Sequence, residues 1–144
     1  MKIVGIDLAW KSEANTTATA IGILDAEGFH VRNVQDSLES LEAVIEAINR
    51  EENVQGFSID APLVVKNSLG QRDCEKELSK EYANRWASCH SSNTTLYPNS
   101  SSTALSLHLS ENGFVHLGEP SSKKWQIECY PHPALIEIFS LSKR

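Results

Sequence analysis

Two short apolar segments of the sequence each end in an aspartate, and this feature constrains the fold most. Residues 2–6 suit the interior of a β-sheet, and Asp7 follows them where the pattern calls for another apolar side chain. Residues 53–60, NVQGFSID, repeat the arrangement and end at Asp60. An unpaired charge in such a place costs roughly several kcal/mol, even after relaxation. We therefore interpret Asp7 as one of several acids that meet over a metal ion.

The chain has 144 residues, which is enough for one domain with a core of its own. No apolar run approaches the roughly 20 residues of a membrane span, and the N-terminus lacks the pattern of a signal peptide. The three cysteines show no Cys-x-x-Cys spacing, which favours free thiols in a reducing cytoplasm over a disulfide framework. We expect a single cytoplasmic domain, residues 1–144, without a membrane segment.

The net charge of −6 is distributed unevenly along the chain. Residues 1–60 carry 4 basic and 11 acidic side chains, whereas residues 61–144 carry 9 basic and 8 acidic ones. Because phosphate neutralisation supplies most of the non-specific affinity for nucleic acid, this acidic balance counts against a nuclease. A polyanion would have to approach the second part of the chain or arrive with metal ions.

Apolar periodicity and turn residues predict an α/β order of elements. The predicted strands are residues 2–10, 17–25, 29–35, 53–60 and 125–130. The predicted helices are residues 38–50, with Ser37 as the N-cap, 72–86, 103–112, and a last helix that begins near Pro131. The segments 64–71 and 88–102 are predicted to be loops.

Connection lengths predict how the strands pair. Short connections between the first three strands indicate an antiparallel meander, and the helix before the fourth strand indicates a crossover. The fourth and fifth strands are then parallel to the first, in a five-stranded mixed sheet with helices packed on it. This topology puts the C-terminal ends of the first, fourth and fifth strands on one side, and Asp7, Asp60 and Glu128 lie near those ends.

Three carboxylates in one place repel each other unless a cation joins them. Mg²⁺ and Mn²⁺ take oxygen ligands and keep positions open for water and phosphate. Two such ions roughly 4 Å apart activate a water and stabilise the leaving oxygen of a phosphodiester. We therefore predict that Asp7, Asp60 and Glu128 are the metal ligands of a nuclease that needs no protein nucleophile.

The chain resembles domain-of-unknown-function family 429, whose members are described as predicted ribonuclease-H-like nucleases. The resemblance runs from residue 4 to about residue 139 and rests on the order and spacing of several motifs. These motifs are VGIDLAW, SIDAPL followed by NSLGQRDCEKEL, AS leading to SSN, and IECYPHPALIEIF.

The resemblance implies a ribonuclease-H-like fold with Asp7, Asp60 and Glu128 as the first members of a catalytic acid set. It also marks positions that would bind substrate, namely Asn67, Arg72, Glu75 and Asn93. After the fifth strand it marks Tyr130 as a motif position and His132, which would assist catalysis. Family members usually run longer, and a further C-terminal helix, absent from this sequence, supplies one more acid. A catalytically incomplete binding domain is therefore an alternative to the enzyme.

The acids also have a structural interpretation. Asp7 and Asp60 could be plain strand-end acids, solvated or paired, and Glu128 could be paired as well. The cations available for such pairing are Lys11, Lys66 and Arg72.

The residues of the second motif have similar alternatives. Arg72 could contact phosphate, cap the following helix or pair with Glu75. Asn67 could be a turn residue, and Glu75 a solvated charge on an amphipathic helix. His132 could assist proton transfer near the metal ions or pack at the surface.

Two other functional classes fit the sequence less well. Cys129 and His132 do not make a structural zinc site, which needs four ligands in short paired spacings. A nucleotide binder of the actin or sugar-kinase type would need glycine-rich phosphate loops, which the segments after Asp7 and Asp60 do not provide. The predicted function is a metal-dependent hydrolase acting on nucleic acid, with a homodimer left open.

Overall fold

The computed structural model describes residues 1–10, 15–116 and 123–141. Contacts divide the chain into two compact units. The sheet unit comprises Met1–Leu63 and Ser100–Cys129, and the helical unit comprises Val64–Asn99 and Tyr130–Arg144. Across the described parts of the chain, no helix has the length and apolar character needed to cross a membrane.

The sheet unit contains one six-stranded mixed sheet. Its strands are β1 (Lys2–Asp7), β2 (Thr17–Asp25), β3 (Gly28–Leu38), β4 (Val54–Asp60), β5 (Val115–His116) and β6 (Trp125–Glu128). Their order is β3-β2-β1-β4-β6-β5. β2 is antiparallel to both β1 and β3, whereas β4 is parallel to β1, and β6 is parallel to β4 and β5. The predicted α/β class, the antiparallel meander and the parallel strands after the crossover are confirmed.

The prediction of five strands was wrong, because β5 adds a sixth at the edge of the sheet. This strand has two residues, Val115 and His116, which pair with Trp125 and Gln126. Two residues are too few to produce a recognisable alternation of apolar and polar side chains. The last strand is also shorter than expected, since β6 ends at Glu128 rather than at residue 130.

Four α-helices accompany the sheet among the described residues. The sheet unit contains α1 (Leu41–Asn49) and α3 (Ser101–Glu111), and the helical unit contains α2 (Asp73–Tyr82) and α4 (Pro131–Phe139). A short 3₁₀ helix, Ala83–Arg85, continues α2. All four predicted helices are present, and Pro131 occupies the first turn of α4 as expected.

The predicted N-cap of α1 was wrong by three residues. Ser37 belongs to β3, where it has a φ of 62° at an irregularity of the β2/β3 ladder. Ser40 caps the helix instead, because its Oγ accepts a hydrogen bond from the N–H of Ala43 at 3.1 Å. The irregular ladder accommodates extra residues in β3, so this strand continues past the point at which its alternation of apolar and polar side chains breaks down.

One face of the sheet, which we call the core face, packs against α1 and α3. Val4, Ile6, Phe57 and Ile59 project from the central strands into this core. The helices contribute further buried residues: Val44, Ile48, Leu105 and Leu109. Successive residues of a strand point to opposite faces, so Gly5, Asp7, Gly56, Ser58 and Asp60 belong to the other face, which we call the outer face.

The packing of the hydrophobic core predicts that substitutions of two leucines of α3 have very different effects on the free energy of unfolding. Leu105 is completely buried, whereas Leu107 is 61% exposed. Leu105→Ala should lower the free energy of unfolding by about 2–5 kcal/mol, because it removes buried methyl groups and leaves a cavity. Leu107→Ala should change it by less than about 0.5 kcal/mol. Urea unfolding of both variants measures the difference, and equal effects would contradict the described packing.

Candidate functional site

Asp7 and Asp60 end adjacent parallel strands and are paired in register. Strands in a sheet lie about 4.8 Å apart, and paired residues of parallel strands project to the same face. The preceding residues, Ile6 and Ile59, are buried at 3% and 0% exposure. Both aspartates therefore leave the sheet on the outer face, next to each other, where Asp7 is exposed and Asp60 is half-buried.

Glu128 lies at the same end of the sheet but in a different register. It pairs with Ile59 rather than with Asp60, so the alternation of β6 directs its side chain toward the core face. There its Oε2 accepts a hydrogen bond from the backbone N–H of Leu63 at 3.0 Å. The sheet thus brings all three predicted acids to one end, but only two of them to one face.

The acids nevertheless influence each other electrostatically. Burial raises the pKa of Asp60, and the negative charges of Asp7 and then Glu128 raise it further. The carboxylate form of Asp60 is therefore disfavoured in this environment unless a positive charge is supplied. A bound cation would relieve both the repulsion and the cost of burial.

Cys129 is a neighbour of the acid pair that the sequence did not point to. Its backbone N–H donates to the carbonyl of Ile59 at 2.9 Å, which continues the ladder one residue past β6. The alternation then puts its thiol on the face of Asp60, in agreement with a hydrogen bond to Ser58. Burial raises the pKa of this thiol, the Ser58 contact opposes that shift, and the neighbouring carboxylates add to it.

The arrangement of Asp7 and Asp60 suits a site for one hard divalent cation better than it suits the predicted site of three acids and two cations. Mg²⁺ commonly binds through one or two carboxylates and keeps several waters, which Asp7 and Asp60 allow. Among the residues that the structure describes, no group of three or more His, Cys, Asp or Glu side chains is arranged to hold a metal ion. Glu128 would have to leave the Leu63 N–H to join the pair, and a protonated thiol is a poor ligand for a hard cation.

The residues predicted to bind substrate form a hydrogen-bonded network in the helical unit. Its centre is Glu75, which is only 3% exposed. Arg72 donates from Nε to Oε1 at 2.7 Å and from its backbone N–H to Oε2 at 2.9 Å. The backbone N–H of Ser92 donates to the same Oε2 at 3.1 Å. The predicted pairing of Arg72 with Glu75 is confirmed, whereas the interpretation of Glu75 as a solvated charge was wrong.

Burial and hydrogen bonding act on Glu75 in opposite directions. Burial raises its pKa, but the hydrogen bonds from Ser92 and Arg72 outweigh burial, and the pKa is lowered overall. Glu75 is therefore a charged residue whose ionised form the fold stabilises. At Asp60, by contrast, the net effect of the surroundings is to raise the pKa.

Two asparagines fasten the loops on either side of this network. Asn67 donates from Nδ2 to the carbonyl oxygens of Leu69, Gly70 and Ser92 at 3.0–3.2 Å. Asn93 donates to the carbonyl of Gly70 at 3.0 Å and accepts from the N–H of Leu96 at 2.9 Å. These contacts give both asparagines a structural role, and the contact with substrate stays a prediction.

The remaining predicted residues are less constrained. His132 is exposed in the first turn of α4, and its ring lies 6.4 Å from that of Tyr130 in an edge-on arrangement. The Tyr130 hydroxyl donates to the carbonyl of Ser88 at 2.9 Å. The catalytic role of His132 stays a prediction, and Lys11, one of the proposed partners of the acids, lies outside the described residues.

Comparison with known proteins gives one match. A family model with the description "Protein of unknown function (DUF429)" matches residues 5–144. No curated protein and no solved structure matches the chain.

The raised pKa of Asp60 predicts that Asp60→Asn stabilises the protein at pH 7 when divalent cations are removed. A raised pKa means that the folded state favours the protonated acid, so the contribution of Asp60 to wild-type stability is most favourable below its ordinary pKa of 3.8 and decreases as the pH rises. The advantage of the variant should therefore shrink as the pH falls toward 3.8. Thermal unfolding in EDTA from pH 4 to 8 measures it.

Glu52→Gln is the control for this experiment, because Glu52 is exposed and precedes β4, at the opposite end of that strand from Asp60. It should unfold like the wild type across the same pH range. An Asp60→Asn variant that is less stable than the wild type at pH 7 would contradict the electrostatic description of the site.

The network around Glu75 predicts that Glu75→Gln lowers the free energy of unfolding by about 1–3 kcal/mol, because an amide NH₂ replaces an oxygen that accepts buried hydrogen bonds. Glu77→Gln, an exposed neighbour on α2, should be near neutral. Since the pKa of Glu75 is lowered, the wild-type advantage should be present above pH 4.5 and diminish as the pH falls below it. Urea unfolding at several pH values tests both statements, and equal effects of the two substitutions would refute the role of Glu75.

Proposed function

The chain belongs to the DUF429 family of proteins of unknown function, and from its carboxylate pair we propose that it is a divalent-metal-dependent nuclease. The reaction is hydrolysis of a phosphodiester bond, with water as the nucleophile and Mg²⁺ or Mn²⁺ as the cofactor. The observation that carries the proposal is the register of β1 and β4, which sets Asp7 beside Asp60 on the outer face.

The topology of the sheet supports a ribonuclease-H-like architecture. The order β3-β2-β1-β4-β6, with β2 antiparallel to both neighbours and the later strands parallel to β1, agrees with the fold that the sequence resemblance implies. The carboxyl ends of parallel strands are also where open α/β sheets bind their ligands. Both features favour a site at the ends of β1 and β4.

The residues of the chain have distinct tasks in this proposal. Asp7 and Asp60 hold the cation, which when bound supplies Lewis acidity toward water and phosphate. Ile6 and Ile59 keep both carboxylates on the outer face through their burial in the core. Glu128 accepts the Leu63 N–H and so fixes the segment that directly follows Asp60.

One observation favours a second candidate, a nucleic acid binding domain without catalysis. Only two of the three predicted acids share a face, since Glu128 is engaged with Leu63 on the other side. A site with two carboxylates can bind a cation and through it a phosphate, without positioning a second metal ion. The two candidates differ in whether a substrate is cleaved.

Nuclease assays test the proposal directly. With Mg²⁺ or Mn²⁺, the wild type should cleave at least one member of a panel of single-stranded, duplex, hybrid and branched substrates. Asp7→Asn and Asp60→Asn should each lower the rate by roughly 100-fold or more, because each removes a ligand charge. Glu128→Gln keeps an acceptor for the Leu63 N–H and should have a smaller effect.

Glu52→Gln is the matched control and should retain wild-type activity, since it removes an exposed charge that precedes β4, at the opposite end of that strand from Asp60. Equal cleavage by the wild type and Asp7→Asn would show contamination and end the enzyme proposal. Metal-dependent binding without cleavage would support the second candidate. A Mn²⁺ titration followed by electron paramagnetic resonance should detect one site that both aspartate variants weaken.

A further inference from the structure

Trp86 combines high exposure with an unusual backbone conformation. Its side chain is 78% exposed, the highest value among the large hydrophobic residues that the structure describes. Its φ of 63° and ψ of 26° lie in the left-handed region. Left-handed conformations are uncommon for residues other than glycine and mark strain at that position.

The left-handed conformation follows from the way in which the helix before Trp86 ends. The N–H of Trp86 donates to the carbonyl of Ala83, and the N–H of Ala87 donates to that of Tyr82, both at 3.2 Å. Glycine is the usual residue at the left-handed position of such helix ends. Ala87 is completely buried, so the next residue is held in place and the strain remains at Trp86.

Folding therefore gives no reason for an indole at this position. The side chain leaves most of its apolar surface in water, and its Cβ is the source of the backbone strain. A strained, exposed aromatic residue of this kind is better explained by contact with a ligand than by stability.

The charge of the helical unit indicates which ligand. Its segments, residues 64–99 and 130–144, contain seven Lys and Arg and five Asp and Glu; Lys143 and Arg144 lie outside the described residues, and the described part of the unit is neutral. The sheet unit carries six basic and fourteen acidic residues, for a net charge of −8. A polyanion is thus repelled less by the part of the chain that contains Trp86 than by the sheet unit, and exposed aromatic rings are the surfaces on which unpaired bases stack.

We propose that Trp86 is a stacking platform for an unpaired base, and that the nucleic acid bound by this protein is single-stranded at that point. The inference rests on the proposed function, since it names the class of substrate. Stacking needs only the π-face of a base and is tolerant of sequence, so the preference is for strandedness rather than for a particular base.

Two glycine substitutions separate stacking from stability. Trp86→Gly and Ser140→Gly each put glycine at a left-handed position in the helical unit, since Ser140 has a φ of 49° at the end of α4. Both should raise the melting temperature by relieving strain. Only Trp86→Gly should weaken binding of a single-stranded oligonucleotide, by roughly 5- to 150-fold, and Trp86→Phe should retain most of the affinity.

Fluorescence anisotropy with labelled oligonucleotides in EDTA measures these affinities without any hydrolysis. Trp86→Gly should leave duplex binding unchanged. The inference would be overturned if Trp86→Gly bound single strands as tightly as the wild type does, or if it lost as much affinity for duplex as for single strands. It would also be overturned if the wild type did not bind single strands. So would a change in oligomeric state on Trp86→Gly, which would indicate a protein contact at the ring.

Failure of the stacking inference can be distinguished from failure of the nuclease proposal. Asp7→Asn and Asp60→Asn should bind single strands in EDTA as the wild type does, because no metal is present. If the aspartate variants leave cleavage unchanged but Trp86→Gly loses affinity, the nuclease proposal fails and the stacking site stands. If the aspartate variants abolish cleavage but Trp86→Gly binds normally, the stacking inference fails alone.

Discussion

The parallel register between β1 and β4 is the constraint on which the candidate site depends. It sets Asp7 opposite Asp60, and the burial of Ile6 and Ile59 determines that both acids take the outer face. A shift of one strand by a single residue would send an aspartate into the core and an isoleucine into water. The apolar contacts that stabilise the fold therefore also hold two like charges side by side.

Much of this arrangement could be predicted from the sequence, and the part that could not has a physical cause. Connection lengths fixed the order and direction of the central strands, and the acids at the ends of β1 and β4 followed from the alternation within each strand. The register between β4 and β6 is different, because Ile59 and Glu128 are far apart in the chain and no turn links their positions. A register offset of one residue was enough to send Glu128 to the core face and to bring Cys129 toward Asp60.

The motif around Glu75 shows why a set of conspicuous polar residues need not be a binding site. The family resemblance grouped Asn67, Arg72, Glu75 and Asn93 but did not reveal that Glu75 is buried. Once buried, its carboxylate needs donors, and Arg72 and the backbone of Ser92 supply them. The asparagines satisfy the carbonyl groups of the loops that close over it. The demands of one buried charge thus account for these contacts without a ligand.

The contrast between Glu75, Asp60 and Trp86 gives a criterion for separating structural residues from functional ones. The fold favours the ionised form of Glu75, so this residue is explained by stability alone. It disfavours the ionised form of Asp60, and it holds Trp86 exposed in a conformation that suits glycine. At both of the latter positions a simpler residue, asparagine or glycine, would make the folded state more stable. At Asp60 and Trp86 we therefore propose that the side chain acts on something outside the fold: a cation at Asp60, and the face of a base at Trp86.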